Sequence, residues 1–103
     1  MDAKQLTDIL IELSRASKTI TNPSELQSLM GKYDMIFAGK SYNCINTIEL
    51  RHTLEKTFHL NVSLEELNSL VPPACSKLGM ETVPFVNAVN PDETIPYCYQ
   101  IFL

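Results

Sequence analysis

The sequence predicts an α+β fold: four helices followed by a C-terminal β-hairpin, with a short strand near residues 41–45. Three observations carry this. Side-chain capping signatures stand at Asp2, Asn22, Asn46 and Ser63, each just ahead of an apolar pattern of helical period. Two runs rich in Val, Ile, Tyr and Phe, 82–89 and 95–103, close the chain. Between them lies Asn90-Pro91-Asp92-Glu93-Thr94, whose composition is that of a turn. With 103 residues, the chain is expected to be a single domain.

The first helix is expected over 3–17. Asp2 with Gln5 reads as a capping box, and Leu6, Ile9, Leu10 and Leu13 form one apolar face. Asn22-Pro23-Ser24-Glu25 starts the second helix: Asn22 as cap, Pro23 in the first turn, Glu25 as the return contact. Its stripe of Leu26, Leu29, Met30, Tyr33 and Phe37 carries it to about Ala38, with Gly39 as the left-handed residue beyond its end.

Asn46 with Glu49 opens a third helix over roughly 47–58, with Ile48, Leu50, Leu54 and Phe58 inward. Ser63-Leu64-Glu65-Glu66 is a second capping box, starting a fourth helix with Leu64, Leu67, Val71, Ala74 and Leu78 as its apolar set. Pro72-Pro73 should break or kink it at Val71, because a proline removes an amide and crowds the carbonyl four residues back. Further turns would end at Gly79. In the last run, Ile95, Tyr97, Tyr99, Ile101 and Leu103 are expected on one face, and Cys98, Gln100 and Phe102 on the other.

From Ser24 onward the order is helix, short strand, helix, tight turn, helix, hairpin. This resembles the winged-helix variant of the helix-turn-helix fold, over residues 24–103, with 3–17 as an added N-terminal helix. The resemblance implies that the fourth helix would be the recognition helix and 90–94 the tip of the wing, as in the DNA-binding members.

The charge pattern points away from nucleic acid. The formal net charge is −4, and no Lys or Arg follows Lys77. Residues 78–103 carry Glu81, Asp92 and Glu93 against no base, a charge of −3. Phosphate neutralisation by Lys and Arg supplies most non-specific DNA affinity. The fourth helix would instead offer Glu65 and Glu66 at its start. The reading is therefore a non-enzymatic, cytoplasmic regulatory domain. It binds another protein or a second copy of itself, as a small inhibitor from a phage or mobile element would. The contact surface is placed at Asp92, Glu93, Tyr97 and Tyr99, since aromatics concentrate at interface centres. The alternative is a transcription regulator holding DNA through Arg51, Lys56 and Lys77 and dimerising through its first helix.

Four groups of residues carry side chains of potential chemical use. Ala38-Gly39-Lys40-Ser41 lacks a phosphate loop's first glycine, since Asp34 stands there. Cys44, Cys75, Cys98, His52 and His59 show no zinc-ligand spacing, so no metal or cofactor is expected. A Cys–His nucleophile would pair His52 or His59 with Cys44 or Cys75, a third reading, and nothing marks an orienting group. Glu65-Glu66 and Asp92-Glu93 have local explanations at a helix start and in a turn. Three scattered cysteines suit reduced thiols rather than a disulfide scaffold. No apolar run reaches the length of a membrane span, and the N-terminus does not read as a signal peptide.

Overall fold

A computed structural model describes residues 1–86 and 96–103. The expected turn at 90–94, with Asp92 and Glu93, lies outside the described residues. The elements are α1 (Ala3–Ser17), α2 (Pro23–Tyr33), β1 (Cys44–Asn46), α3 (Thr47–Lys56), α4 (Leu64–Leu78), β2 (Glu81–Phe85) and β3 (Cys98–Phe102). The fold is α+β: among the described residues, four helices and a three-stranded antiparallel sheet in the order β1-β3-β2. No helix among the described residues is long and apolar enough to cross a membrane.

The helix starts follow their caps. The Asp2 carboxylate accepts from the Gln5 amide at 2.8 Å, and Gln5 Oε1 accepts from the Asp2 amide at 3.0 Å. Asn22, Asn46 and Ser63 accept from the amides of Glu25, Glu49 and Glu66. The Glu25 carboxylate reaches back one residue further than expected, accepting from the amide and hydroxyl of Thr21. Leu6, Leu10 and Leu13 of α1, Leu50 and Leu54 of α3, Leu67 and Val71 of α4 and Ile101 of β3 form the fully buried centre.

Three expectations are corrected. First, α2 ends at Tyr33, not near Ala38. Asp34 turns left-handed (φ 51°, ψ 48°), a conformation Asp tolerates better than most residues. The Tyr33 and Asp34 carbonyls then accept from the hydroxyls of Thr57 and Thr53 on α3. Beyond this turn the chain is extended, so Phe37 reaches the core from a strand-like segment, packing edge-on against Tyr33. Gly39 (φ 85°) does not cap α2 but serves a tight loop, closed where Ala38 and Cys44 exchange both backbone hydrogen bonds at 2.8 and 3.0 Å.

Second, α4 runs unbroken through Pro72 and Pro73. Val71, Ala74 and Cys75, on either side of the pair, are buried. Burying Leu67 and Val71 contributes about 1.5–3 kcal/mol each, a sum comparable with the ~3 kcal/mol that each of the two helix-interior prolines costs. The helix stops at Gly79 (φ 73°), where the Met80 amide bonds to the Cys75 carbonyl and the Gly79 amide to the Ser76 carbonyl, a Schellman motif. Third, Ile48 points outward, 41 % exposed, while Thr47 is fully buried.

Candidate interaction surface

Thr47 explains how the sheet and α3 are joined. On β3 the Leu103 amide donates to the Asn43 carbonyl at 2.8 Å, and the Tyr99 amide donates to Thr47 Oγ1 at 3.1 Å. The hydroxyl thus continues the β1 ladder one step into the helix. Odd-numbered residues of β3 therefore bond towards β1 and even-numbered ones towards β2. By register, Thr82 and Pro84 are partners of Ile101 and Tyr99, so their backbone groups face outward along the free edge of β2. Pro84 has no amide to offer there, which both permits it in the strand and blunts the edge. The outer edge of β1 is taken at Cys44 by Ala38, and Asn46 caps α3. Among the described residues, both sheet edges thus offer little to an added strand.

Five large apolar side chains among the described residues are exposed: Ile36, Ile48, Phe85, Val86 and Tyr97. Local structure explains each. From Tyr33 to Ala38 burial alternates with the period of a strand, burying Tyr33, Met35 and Phe37 and exposing Ile36. Inserting Thr47 into the core places Ile48 on the solvent side of the first turn of α3. At the end of the β2–β3 pair, the Tyr97 amide donates to the Phe85 carbonyl at 2.7 Å, although the partner of Phe85 is Cys98. Two residues thus face one, the pattern of a β-bulge, which resets the side-chain alternation. This corrects the expected common face of Tyr97 with Tyr99. Tyr99, Ile101 and Leu103 pack on the core, while Tyr97 is 58 % exposed.

These side chains are connected. One depression of about 490 Å³ is lined by Met30, Asp34, Met35, Ile36, Ile48, Glu49 and His52. A second, of about 370 Å³, lies over the outer face of the sheet, where Cys44, Cys98, Gln100 and Phe85 meet Ile36 and Glu49. Ile36 and Glu49 belong to both and form the ridge between them. Val86 and Tyr97 adjoin Phe85 through the backbone. At roughly 100 Å² for a half-exposed large side chain, Ile48, Ile36 and Phe85 present on the order of 300 Å² of apolar surface.

Among the described residues, the ionisable side chains lining the two depressions are Asp34, Glu49 and His52, with no Lys or Arg. His52 Nε2 lies 2.6 Å from Asp34 Oδ2. Both side chains are well exposed, so the pair adds little stability. Gln100 Nε2 contacts Cys44 Sγ at 2.7 Å on the floor of the second depression.

The other residues singled out in the sequence are dispersed. Arg51 is exposed and its Nε donates to the Val62 carbonyl at 3.1 Å, tying it to the link between α3 and α4. Lys56 stands five positions further along α3, about 140° around the helix. Lys77 is on the last turn of α4, beside Lys4 of α1 in a separate shallow groove. Glu65 and Glu66 are exposed on the first turn of α4. The Gly39-Lys40-Ser41 segment leads into β1 rather than into a helix. Cys44, Cys75 and Cys98 are buried thiols. Burial pushes the Cys75 thiol up to about 11 and raises that of Cys98. Among the described residues, no three His, Cys, Asp or Glu side chains gather as metal ligands.

The sequence does not mark Ile36 and Ile48 as surface residues outright, yet each leaves a trace in it. Met35 and Phe37 are two apart, a strand spacing, and Ile48 and Leu50, also two apart, cannot both face one side of a helix. No protein-family model, no curated protein and no solved structure matches the chain.

Proposed function

We propose that this chain is a non-enzymatic interaction domain of winged-helix type, working by binding another protein or a second copy of itself, as a small regulator or inhibitor in the cytoplasm. The observation that carries the reading is the connected apolar row of Ile48, Ile36 and Phe85. The largest apolar patch on a single chain is commonly of this order and often functional. The order α2-β1-α3-α4-β2-β3 and the sheet order β1-β3-β2 support the winged-helix assignment. The buried free thiols suit a reducing compartment. The acidic first turn of α4 and the scatter of Arg51, Lys56 and Lys77 speak against the DNA-binding alternative.

Ile36→Asp tests the reading, because Ile36 is central to the row and 53 % exposed, so the fold tolerates the change. The expected result is a folded variant that loses a partner retained by the wild type on an affinity column loaded with an extract of the source cells, or that loses its own dimer in light scattering. A folded variant with every partner and the same mass refutes it. Salt-sensitive binding of random duplex DNA by the wild type would transfer the function to the basic residues.

A further inference from the structure

Resting on the interaction-domain reading, we infer that the two depressions flanking Ile36 receive an amphipathic α-helix of a partner protein, with aliphatic anchors on one face and Lys or Arg beside them. Three observations choose this occupant. An extended peptide gains its affinity by adding to a sheet edge, and both edges are blunted: Pro84 removes the outward amide on β2, and Ala38 occupies Cys44 on β1. What remains is a side-chain surface with two hollows separated by one ridge. A helix fills such a surface with anchors one or two turns apart.

The lining supplies the second argument. Met30, half-buried, stands beside Ile36 and Ile48 in the first hollow, with the buried Met35 beneath. Methionine adapts its shape to different aliphatic anchors and is over-used on helix-binding surfaces. Charge supplies the third. Glu49 is half-buried on the ridge, and Asp34 lines the first hollow against His52, with no Lys or Arg lining either hollow. A cationic side chain flanking the aliphatic anchors would meet Glu49 where water is partly excluded. An acidic helix would meet the same carboxylate with repulsion. The apolar groove between α1 and α4 has the opposite character, with Lys4 and Lys77 on its rim. It serves as an internal control.

The test is a nitrogen-15 NMR titration of the whole chain with two designed amphipathic peptides of roughly 18 residues, about five helical turns. One is built from Leu and Lys, the other from Leu and Glu. The expected result is that the Leu/Lys peptide shifts the amides of Ile36, Ile48, Glu49, Phe85 and Gln100 and becomes helical as it binds. The Leu/Glu peptide binds there about tenfold more weakly or not at all. Ile36→Asp weakens the Leu/Lys complex by about tenfold or more, and Glu49→Gln by about threefold. The inference is overturned if the Leu/Glu peptide occupies the hollows equally well, or if a Leu/Lys peptide with a central proline binds undiminished. It also fails if the shifts map to the α1–α4 groove, or if neither peptide binds. In those cases the partner's chemistry is wrong, while the interaction reading stands or falls separately on the Ile36→Asp column and light-scattering experiment.

Discussion

Replacing Pro73 with Ala should stabilise this protein, although the residue sits in the middle of a helix that already forms. Proline in a helix interior is about 3 kcal/mol less favourable than alanine. It leaves the carbonyl four residues back, here Ser69, without its amide, and its ring crowds that carbonyl. Pro73 is exposed, whereas Val71, Ala74 and Cys75 around it are buried, so the substitution leaves the core side of α4 untouched. Two effects oppose the gain. Alanine loosens the unfolded chain, which costs about 0.4–1 kcal/mol. The ring also lines the groove against α1, and losing part of that contact costs under about 1 kcal/mol. The net is a gain of about 1–2 kcal/mol, a rise of roughly 5–10 °C in Tm for a domain this small. Urea unfolding followed by far-ultraviolet circular dichroism reads it as a higher midpoint at unchanged slope. An unchanged or lower midpoint would refute the argument. It would mean that the chain departs from helical geometry at the proline pair, so that no amide was missing from a helix that could use it.

The join between sheet and helix predicts that Thr47→Val, which keeps the shape and removes the acceptor for the Tyr99 amide, costs about 1–3 kcal/mol in the same titration. Thr47→Ser should recover part of that loss. The buried Cys75 thiol holds its proton up to about pH 11, whereas the unfolded chain releases its own near 9. Its contribution is therefore complete below pH 9 and drains away between 9 and 11, by about 2–3 kcal/mol. Comparing stability against pH for the wild type and Cys75→Ala isolates this slope, which the variant should lack. Cys44 is paired with Phe102, four residues along β3 from Cys98, so the two α-carbons are ~14 Å apart, too far for a disulfide. Thermal melts with and without reductant should superimpose, with all three thiols titratable in denaturant.

What the sequence revealed was the part of the fold decided within three or four residues. The caps at Asp2, Asn22, Asn46 and Ser63 bond to amides three positions on, so a local reading finds them. What it concealed was decided at a distance. Phe37 lies four residues from Tyr33 and seven from Met30, a helical spacing, and it does reach the core beside Tyr33. It does so from an extended segment, because Thr53 and Thr57 of α3 take up the carbonyls at the end of α2. No property of residues 34–38 alone announces those threonines. The unbroken α4 is a similar case, since burial on either side of Pro72-Pro73 outweighs a local rule. The candidate surface was legible only at Tyr97. A local reading places Ile48 inward and is silent on Ile36, because an isoleucine in a helical pattern is read as core unless its neighbours contradict it.

The choice between a foreign partner and a second copy follows from where the charges stand. An isologous dimer across the apolar row would bring Glu49 of one copy towards Glu49 of the other, both half-buried and without a cation lining either hollow. Like charges juxtaposed in a desolvated interface cost several kcal/mol, and the net charge of −4 adds repulsion at longer range. A second copy could avoid this by presenting its lysine-rimmed α1–α4 groove, but that contact is head-to-tail. It leaves one apolar row and one groove free on every pair, so unless the rotation closes a ring the association is open-ended. Light scattering separates the cases. A mass that stays at one chain as concentration rises is the expected result and leaves the row for a foreign helix. A plateau at two chains would require the acidic ridge to be tolerated at a two-fold axis. A mass that climbs without a plateau and falls back in Lys77→Glu would assign the row to head-to-tail assembly of this chain.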